Sequence, residues 1–498
     1  MTYLDRLKEA TNYTFTENGA LTHKSTLSGL YDLFSLGGAY RSRTEEECIT
    51  LFLKAYAEDP VYALKCLFYL RDARGGQGER RFFRVVFKYL ACNDFERVRG
   101  LVKYIPEFGR WDDLFALKGT ALYFEALELI KQQLALDMEC RTPSLLAKWL
   151  PSENASSPAT ISHGNDVRRY LNMTHKQYRK TLSILRDRIN VVEKLMSSNQ
   201  WDKIEFDKIP SKAGLIYKNA FARRDIIKAK YEAFAKDENT KVNAGTLYPY
   251  EVVHKALEGF SWRGEWIHTD TDRAIVNKYW ANLTDYFDGA TLNALAVVDT
   301  SGSMTSSYNN SNIRPIDVAI SLGLYCADKA QGPFHNHYIS FASRPQLIDT
   351  TAPDFCQAVY DVYKTNLVDN TNLEAVFDLL LNTAVRNNMK QEELPNSIII
   401  ISDMEIDDAQ RHRWDEPSLN VETQMEGLRK EWAARGYRLP NLIYWNVNAR
   451  HDNILDLGPN VSCVSGCSPV IFKQVLTGKT GFDLMMDKLN EDRYSCIC

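Results

Sequence analysis

The sequence lacks any apolar run long enough to cross a lipid bilayer. A membrane-spanning helix needs about 18 apolar residues, whereas the longest apolar runs, such as residues 397–402, have only the length of a strand. The amino-terminal residues also lack the basic stretch and apolar core of a secretory leader. We therefore expect no membrane partner and a site of action in the cytoplasm.

The two cysteine pairs that a zinc site of this kind needs are also missing from the sequence, which has 10 cysteines. The closest pairs are Cys463 with Cys467 and Cys496 with Cys498, and neither is accompanied by a second pair at zinc-site spacing. Reduced thiols within apolar patterns behave as small hydrophobic groups. The cysteines therefore indicate core packing in a reducing compartment rather than a structural zinc.

Signatures of catalysis are scarce as well. The sequence contains no Ser-His-Asp order, nucleophile elbow, paired histidines of a metal hydrolase or glycine-rich cofactor loop. The glycine-rich residues 75–78 are not followed by the Lys-Ser/Thr of a phosphate loop, so a turn between helices is the simpler interpretation. His335 and His337 lie beside an apolar strand, where packing or surface histidines are more common than ligands. We therefore predict a protein that is not an enzyme.

What the sequence does contain is typical of a folded protein with several domains. Of its 498 residues, 45% are hydrophobic and 25% are charged, and one domain takes roughly 100–200 residues. Residues 291–498 hold 17 Lys and Arg against 26 Asp and Glu, whereas residues 1–290 hold 43 against 38. The basic excess of the first part permits a polyanionic partner there.

Residues 1–290 show the periodicity of amphipathic helices. Thr44 with Glu47 forms a capping box, and Asp59 with Pro60 opens a second helix. Helices that begin about every 15–20 residues are typical of stacked antiparallel helix pairs. Further predictions for this part are helices over 82–90 and 95–105, one long helix from Thr174 to Met196, and a loop at 151–165.

Two groups of basic side chains stand out in the helical part. A guanidinium group is suited to phosphate because it stays charged and donates hydrogen bonds from a planar fork. Alternatively, these side chains cap helix ends and pair with neighbouring acids, and spacing alone leaves both interpretations open. The first group is Arg71, Arg74, Arg80, Arg81 and Arg84, and the second is Arg168, Arg169, Lys176, Arg179 and Lys180.

From residue 291 onward, strands alternate with helices. Strands that are apolar on both faces and alternate with helices indicate a parallel, doubly wound α/β sheet. Ligands bind at the carboxyl ends of the strands in such sheets. The predicted strands are 292–298, 338–341, 397–401 and 442–445, and the predicted helices are 317–329 and two that begin near Thr371 and Thr423.

Side chains with oxygen donors follow the ends of these strands. Asp299, Ser301 and Ser303 form an Asp-x-Ser-x-Ser pattern after the first strand. Thr371 begins a later helix, and Asp403 follows another strand. Each could instead cap the helix after it. Together they offer hard oxygens with little excess charge, which suits a divalent cation that keeps part of its water.

These five residues resemble the metal-ion-dependent adhesion site of von Willebrand factor A domains. The resemblance implies that Ser301 and Ser303 ligate Mg²⁺ or Mn²⁺ directly. It also implies that Asp299 and Asp403 act directly or through water, and that Thr371 joins the metal depending on an open or closed state. Such a site leaves one coordination position for an anion, so the resemblance implies a docking site for a partner's carboxylate.

The helical part has a resemblance of its own, to TROVE-type proteins typified by the Ro autoantigen and its bacterial relatives. This resemblance implies a HEAT-like repeat ring or horseshoe at 1–290 and a von Willebrand factor A domain at 291–498. The typified members bind the ends of misfolded RNAs in the hole of the ring and small structured RNAs on its outer basic surface. The segments that carry the resemblance are 70–81, 109–114 and 144–150, and those at 401–405, 445–447 and 465–468 look more like a diverged branch from bacteria, phages and plants.

Two functions follow from these expectations. One is an RNA-binding scaffold, a ribonucleoprotein in which the helical repeats contact phosphates and the metal site recruits a protein partner. The other is a protein-only adaptor, in which the metal binds an acidic residue of a partner or of a client of a chaperone ATPase. RNA that copurifies with the protein would favour the first function.

Overall fold

The computed structural model describes residues 2–189, 191–287, 293–308, 313–341, 344–365, 372–407, 424–475, 477–479 and 481–498. Within these ranges, no helix combines the length and the apolar character that a membrane span requires. Thr371 and the predicted domain boundary at residue 290 lie outside the described residues.

The chain before residue 288 is built mainly of helices. Their apolar faces pack together into a continuous core rich in leucine, phenylalanine and tyrosine. A short antiparallel hairpin of β1 (Tyr13–Phe15) and β2 (Leu21–His23) lies near its start. The α-helices are α1 (Tyr3–Ala10), α2 (Gly29–Leu36), α3 (Glu45–Glu58), α4 (Pro60–Arg71), α5 (Arg80–Asn93), α6 (Phe95–Arg99), α7 (Ile105–Phe108), α8 (Tyr123–Glu139), α9 (Leu146–Trp149), α10 (Pro158–Tyr170), α11 (His175–Arg188), α12 (Val192–Ser197), α13 (Ser211–Ala222), α14 (Asp225–Lys236), α15 (Pro249–Leu257) and α16 (Asp270–Ala281). Short 3-10 segments lie at Gly37–Ser42, Val102–Tyr104, Trp111–Leu117, Trp201–Lys203 and Phe206–Lys208.

The helix starts predicted from capping residues are confirmed. The Thr44 hydroxyl accepts a hydrogen bond from the Glu47 amide, and the Glu47 carboxylate accepts one of 2.7 Å from the Thr44 amide. The Asp59 carboxylate accepts hydrogen bonds from two amides in the first turn of α4, and Pro60 has no N–H to leave unsatisfied. α11 begins with the same kind of capping box as α3. These starts are therefore set by local sequence.

The single helix predicted over residues 95–105 is wrong in detail. The structure divides it into α6, a 3-10 turn and α7. Gly100 follows α6, where its backbone freedom disfavours a continued helix, and Pro106 has no N–H for a bond to the residue four positions before it. Apolar spacing alone does not reveal this break, because it is set by the residues between the apolar positions.

Two other predictions for this part need correction. The long helix predicted from Thr174 to Met196 is divided into α11 and α12, since β-branched residues of low helix propensity follow Arg188. The predicted loop 151–165 contains the first half of α10, whose first turn Ser157 caps. A proline at the first helical position favours a helix start there, so the Pro/Ser-rich composition marks a boundary rather than a long loop.

Within its described residues, the second part of the chain folds around one mixed sheet, in which β5 alone runs antiparallel to its neighbour. The strands are β3 (Ala294–Asp299), β4 (His337–Phe341), β5 (Gln346–Asp349), β6 (Ser397–Ser402), β7 (Asn441–Asn446) and β8 (Val461–Ser465). The helices are α17 (Pro315–Lys329), α18 (Phe355–Thr365), α19 (Leu373–Arg386), α20 (Gln424–Ala434), α21 (Val470–Val475) and α22 (Gly481–Leu489). In the described residues the strand order is β5-β4-β3-β6-β7-β8.

The prediction of a parallel sheet is thus confirmed for five of these strands and corrected for β5. Four residues separate β4 from β5, whereas a parallel connection needs a crossover of about a dozen residues. The chain places β4 and β5 on one side of β3, and β6, β7 and β8 on the other. The strand order therefore reverses between β3 and β6. In open α/β sheets, ligands bind at the carboxyl ends of the strands where the order reverses.

Both ends of the helical array pack on the α/β part. α2 lies against β8 and α4 against α22, whereas α15 lies against α17 and α18. The Asp72 carboxylate after α4 accepts hydrogen bonds from Arg493 and Tyr494 near the end of the chain. Tyr248, which precedes α15, donates a hydrogen bond of 3.2 Å to the Gln77 carbonyl. Early and late helices of the array are therefore held together, through the α/β part and directly at Tyr248.

Replacing Gly78 by alanine is expected to weaken this closure. Gly78 has a φ of +65°, and a Cβ there would lie 2.0 Å from the Tyr248 hydroxyl oxygen. Left-handed backbone strain alone amounts to about 1–2 kcal/mol for an alanine, and we expect Gly78→Ala to lower the free energy of unfolding by more than that. Combining it with Tyr248→Phe should recover part of the loss, because the clashing oxygen is then absent.

Gly119→Ala is the matched control for this experiment. Gly119 has a φ of +89°, but no atom lies within 4 Å of its Cβ position, so only the strain contributes. Thermal melts of the variants measure the difference. Equal losses for Gly78→Ala and Gly119→Ala would contradict a closing contact at Tyr248.

Candidate metal site and basic cavity

The two central strands bring four predicted metal ligands to one edge of the sheet. β3 ends at Asp299, and Asp403 follows β6, its parallel neighbour. Both carboxylates are buried. The hydroxyls of Ser301 and Ser303, on the loop after β3, lie 3.0 Å apart. We call these four residues the metal rim. Thr371, the fifth predicted ligand, lies outside the described residues.

Asp299 holds the shape of the loop after β3. One of its oxygens accepts a hydrogen bond of 2.8 Å from the Ser301 amide, and the other accepts one of 2.5 Å from the Ser402 hydroxyl. Burial raises the pKa of Asp299, and these hydrogen bonds partly offset the rise. Because both oxygens are engaged, Asp299 fits an action through a bound water better than direct ligation.

Asp403 differs because one of its oxygens is unsatisfied. Oδ1 accepts a hydrogen bond of 3.2 Å from the Glu405 amide. Oδ2 is buried without a hydrogen-bond partner among the described residues and lies 3.3 Å from Nε of Arg450. Burial, together with the charge of Asp299, raises the pKa of Asp403 to about 7. A buried carboxylate oxygen that accepts no hydrogen bond and lies near serine hydroxyls fits a hard cation such as Mg²⁺.

Glu405 ties the amino-terminal hairpin to the metal rim. Its buried carboxylate is hydrogen-bonded to the Glu17 amide at 2.7 Å, the His451 ring at 2.8 Å and the Asn453 side chain at 3.1 Å. Glu17 also forms an ion pair with Arg450. Ligand atoms of Glu17, Glu405 and His451 lie within 4.8 Å of one another. Because the Glu405 oxygens are already satisfied, this cluster is explained as a joint between hairpin and sheet.

The second candidate site is a cavity of about 1130 Å³ that is lined by residues of the helical part from Arg41 to Tyr250 and by Tyr308 of the α/β part. We call it the basic cavity. Glu79 and Glu193 are the acidic side chains in its described lining, and cationic and aromatic side chains dominate the rest. The cationic side chains are Arg41, Arg71, Arg74, Arg80, Arg81, Arg84, Arg110, Lys148 and Lys212, and the aromatic ones are Trp111, Trp149, Tyr217, Tyr248, Tyr250 and Tyr308.

The two predicted basic groups have different positions relative to this cavity. All five arginines of the first group line it, and none of the second group does. In the second group, Arg168 pairs with Glu153 at 2.8 Å and donates a hydrogen bond to the Met173 carbonyl. The other members, which are exposed on α10 and α11, are Arg169, Lys176, Arg179 and Lys180.

Some cavity residues were not identified from the sequence. Arg41, Arg110, Lys148 and Lys212 lie in four separate segments, and none belongs to a basic cluster along the chain. The segments 109–114 and 144–150 stood out for their resemblance to TROVE-type proteins rather than for charge. That resemblance was the available signal for Arg110 and Lys148.

A buried carboxylate organises one wall of the basic cavity. Asp113 Oδ2 accepts hydrogen bonds from Arg71 Nη2 at 2.6 Å and the Arg110 amide at 2.9 Å, and Oδ1 accepts one of 2.6 Å from Arg84 Nε. Burial acts to raise the pKa of Asp113, but the charges of Arg71 and Arg84 outweigh it and hold the pKa below its ordinary value. Gly109 permits this packing, since a Cβ there would lie 2.4 Å from Asp113 Oδ2.

The glycine-rich residues 75–78 form a turn between α4 and α5, as predicted, and build another part of the wall. A Cβ at Gly76 would lie 2.0 Å from the Tyr69 carbonyl oxygen, so the chain passes closer than a larger residue allows. Glu79, which follows the turn, caps α5 and pairs with Arg41 at 2.9 Å. The turn is therefore a structural device rather than a phosphate loop.

Two family models match the chain, and each describes a domain of unknown function. DUF7788 matches residues 293–495, and DUF2828 matches residues 16–94 and 135–289. The chain is also similar to an uncharacterized protein of Acanthamoeba polyphaga mimivirus. The two are 28% identical over 94% of this chain and 85% of the viral protein. The similarity therefore spans both the helical and the α/β part.

Removing the Asp113 carboxylate should destabilise the protein strongly. Loss of one partner of a buried ion pair costs about 3–5 kcal/mol, because Arg71, which is 2% exposed, would keep an unpaired charge in the interior. Asp112→Ala is the matched control. Its carboxylate is 24% exposed and pairs with Arg84 at 2.9 Å, so a cost of about 0–1 kcal/mol is expected.

Denaturant unfolding of Asp113→Ala and Asp112→Ala measures this difference, and similar losses would contradict the role of Asp113. The lowered pKa also predicts a pH dependence. The contribution of Asp113 is fully present above its unfolded-state pKa of about 3.9 and is lost as the pH falls through the lower folded value. Asp113→Asn should therefore lose less stability than the wild type when the pH falls below about 4.

Proposed function

We propose that this protein is a non-enzymatic RNA-binding scaffold of the cytoplasm. The observation that carries the proposal is the basic cavity, where cationic side chains from separate segments between Arg41 and Lys212 line one space. The proposal extends the resemblance to TROVE-type proteins, in which a ring of HEAT-like repeats carries a von Willebrand factor A domain. Contacts of the first and last helices with the α/β part support a closed arrangement of this kind.

A phosphate backbone is the polyanion that the basic cavity suits. Acidic neighbours neutralise only part of its charge. Arg71 and Arg84 pair with Asp113, whereas Arg81 and Arg110 make no ion pair within the described residues. Phosphates bound by such cations release their condensed counterions, which drives association at low salt.

The aromatic side chains favour single-stranded RNA over a duplex. Trp111 and Tyr217 are half-buried in the cavity wall and offer surfaces on which unpaired bases stack. An A-form duplex keeps its bases stacked inside the helix and is too wide for a cavity of about 1130 Å³. We infer that a misfolded RNA enters by a single-stranded end and that the exposed second basic group contacts small structured RNA outside the cavity.

We propose that the metal rim is the adhesion site of a von Willebrand factor A domain. Ser301 and Ser303 would ligate Mg²⁺ or Mn²⁺, Asp403 would provide its unsatisfied oxygen, and Asp299 would act through water. Thr371 would complete the set. The bound ion would supply a positive charge for a carboxylate of a protein partner. The buried Oδ2 of Asp403, which accepts no hydrogen bond from the described residues, supports this assignment.

A protein-only adaptor is the second candidate function. The observation in its favour is that none of the metal-rim residues lines the basic cavity. A partner with an exposed acidic residue, including a client of a chaperone ATPase, could therefore bind at the rim without RNA. RNA-binding measurements separate the two functions.

RNA binding by the full-length protein tests the scaffold. A single-stranded oligonucleotide should bind more tightly than a duplex of the same length, and the affinity should fall as salt rises. Arg81→Ala should weaken binding and reduce the logarithmic salt slope by roughly one unit or less. Arg179→Ala, the control outside the cavity, should leave binding of the single strand within about twofold, because an exposed arginine that lines no cavity contributes little to it.

Filter binding at several salt concentrations gives these values. Dissociation constants weaker than about 10⁻⁴ M for every RNA at physiological salt would reject the scaffold and leave the adaptor.

Mn²⁺ binding tests the metal rim. Asp403→Asn preserves the size of the side chain but removes its charge, so calorimetry should show Mn²⁺ affinity reduced by at least about tenfold. The fold should be retained, because the charge removed is one that burial disfavours. Asp483→Asn, at an exposed position on α22, is the control. Unchanged Mn²⁺ affinity in Asp403→Asn would refute the assignment.

A further inference from the structure

One part of the basic cavity carries positive charge that the protein itself does not neutralise. Arg110 and Lys148 make no ion pair within the described residues, although both line the cavity. Arg80 lies 3.9 Å from the Asp112 carboxylate, which is closer to Arg84, at 2.9 Å. The other arginines of the cavity wall are engaged: Arg41, Arg71 and Arg84 have an acidic partner, Arg74 donates to a carbonyl, and Arg81 donates to the Cys48 thiol.

Arg110 and Lys148 meet at one aromatic ring. The Arg110 guanidinium lies over Trp149, 4.6 Å from the ring centroid, and Lys148 Nζ lies 6.0 Å from the same centroid. Burial, followed by the charge of Arg80, lowers the pKa of Arg110. Like charges gathered in a half-buried place are unfavourable, and a bound anion offsets this repulsion.

The position of Arg110 is fixed from both ends of the residue. Its amide donates to Asp113 in the wall, and its guanidinium is held against the Trp149 ring. A guanidinium held in this way needs little further ordering to donate two parallel hydrogen bonds to a phosphate. The site is therefore organised before a ligand binds.

The charge of the group favours a phosphomonoester over a diester. A phosphodiester within a strand carries one negative charge and two unbridged oxygens. A terminal phosphate carries about 1.5 to 2 negative charges near pH 7 and three acceptor oxygens. Two cations without acidic partners, together with a third that has only a distant one, match the terminal phosphate in charge.

We propose that Arg80, Arg110 and Lys148 form a subsite for a terminal phosphate. The inference deepens the proposed function when the phosphate ends an RNA strand, and it rests on that function. A free nucleoside monophosphate presents the same chemistry, so the test includes both sources.

The experiment measures fluorescence anisotropy with the full-length protein. Three internally labelled single-stranded RNAs of one sequence end in a 5′-phosphate, a 3′-phosphate or hydroxyls only. In the wild type, a phosphate at one of the two ends should tighten binding by at least about tenfold, as a charge-assisted pair of hydrogen bonds does. Arg110→Gln should lose this gain, and it should weaken binding of the hydroxyl-ended RNA no more than Arg81→Ala does.

Lys212→Gln is the matched control, because Lys212 lines the same cavity but pairs with Glu251 at 2.6 Å. It should keep the gain from the terminal phosphate. Melting temperatures verify the fold of Arg110→Gln, whose guanidinium makes no ion pair within the described part of the chain. Equal wild-type affinities for the three RNAs, or a gain that survives in Arg110→Gln, would overturn the subsite on RNA.

Calorimetry with adenosine monophosphate separates the subsite from the scaffold. If no RNA binds but the nucleotide binds to wild type and not to Arg110→Gln, the subsite is upheld for a free nucleotide and the RNA scaffold is rejected. If neither RNA nor nucleotide binds, both proposals are rejected.

Discussion

The buried ion pair between Arg71 and Asp113 is the contact on which the basic cavity depends. It joins the end of α4 to the 3-10 segment at Trp111–Leu117. The same carboxylate also fixes Arg84 and the backbone of Arg110. In the low dielectric of the interior, such a pair is strong when complete and very unfavourable when one partner is missing. One contact therefore stabilises the wall and sets the direction of the cations that face the cavity.

The helical part and the α/β part are joined by hydrogen bonds near both ends of the chain. Near the amino terminus, the hairpin that carries Glu17 is bonded to Glu405 beside the metal rim. Near the carboxyl terminus, Arg493 and Tyr494 are bonded to Asp72 in the wall of the helical array. Because each part supplies hydrogen-bond partners to buried carboxylates of the other, the basic cavity and the metal rim belong to one packed structure.

Each candidate site gathers charges of one sign that the protein compensates only in part, negative at the metal rim and positive in the basic cavity. At the metal rim, two carboxylates are buried together, and one oxygen of Asp403 has no hydrogen-bond partner within the described residues. In the basic cavity, Arg110 and Lys148 have no acidic partner within the described residues. Most other charges of the interior, such as the Lys218 ammonium against Asp272, are paired. Places where a protein compensates its own charges only in part are the places where a ligand contributes most.

Local signals in the sequence determined the helix starts after Thr44, Asp59 and Thr174, most of the central strands and the order of the metal-rim residues. Capping acts within one turn, as at Thr44, and Asp299 and Asp403 share one edge because parallel strands end on the same side. Only the tertiary structure decided which cations are paired and which line the cavity. Arg71 meets Asp113 across 42 residues of sequence and Glu17 meets Glu405 across 388. Contacts over such separations depend on how helices and sheet pack, and neither spacing nor composition along the chain encodes that packing.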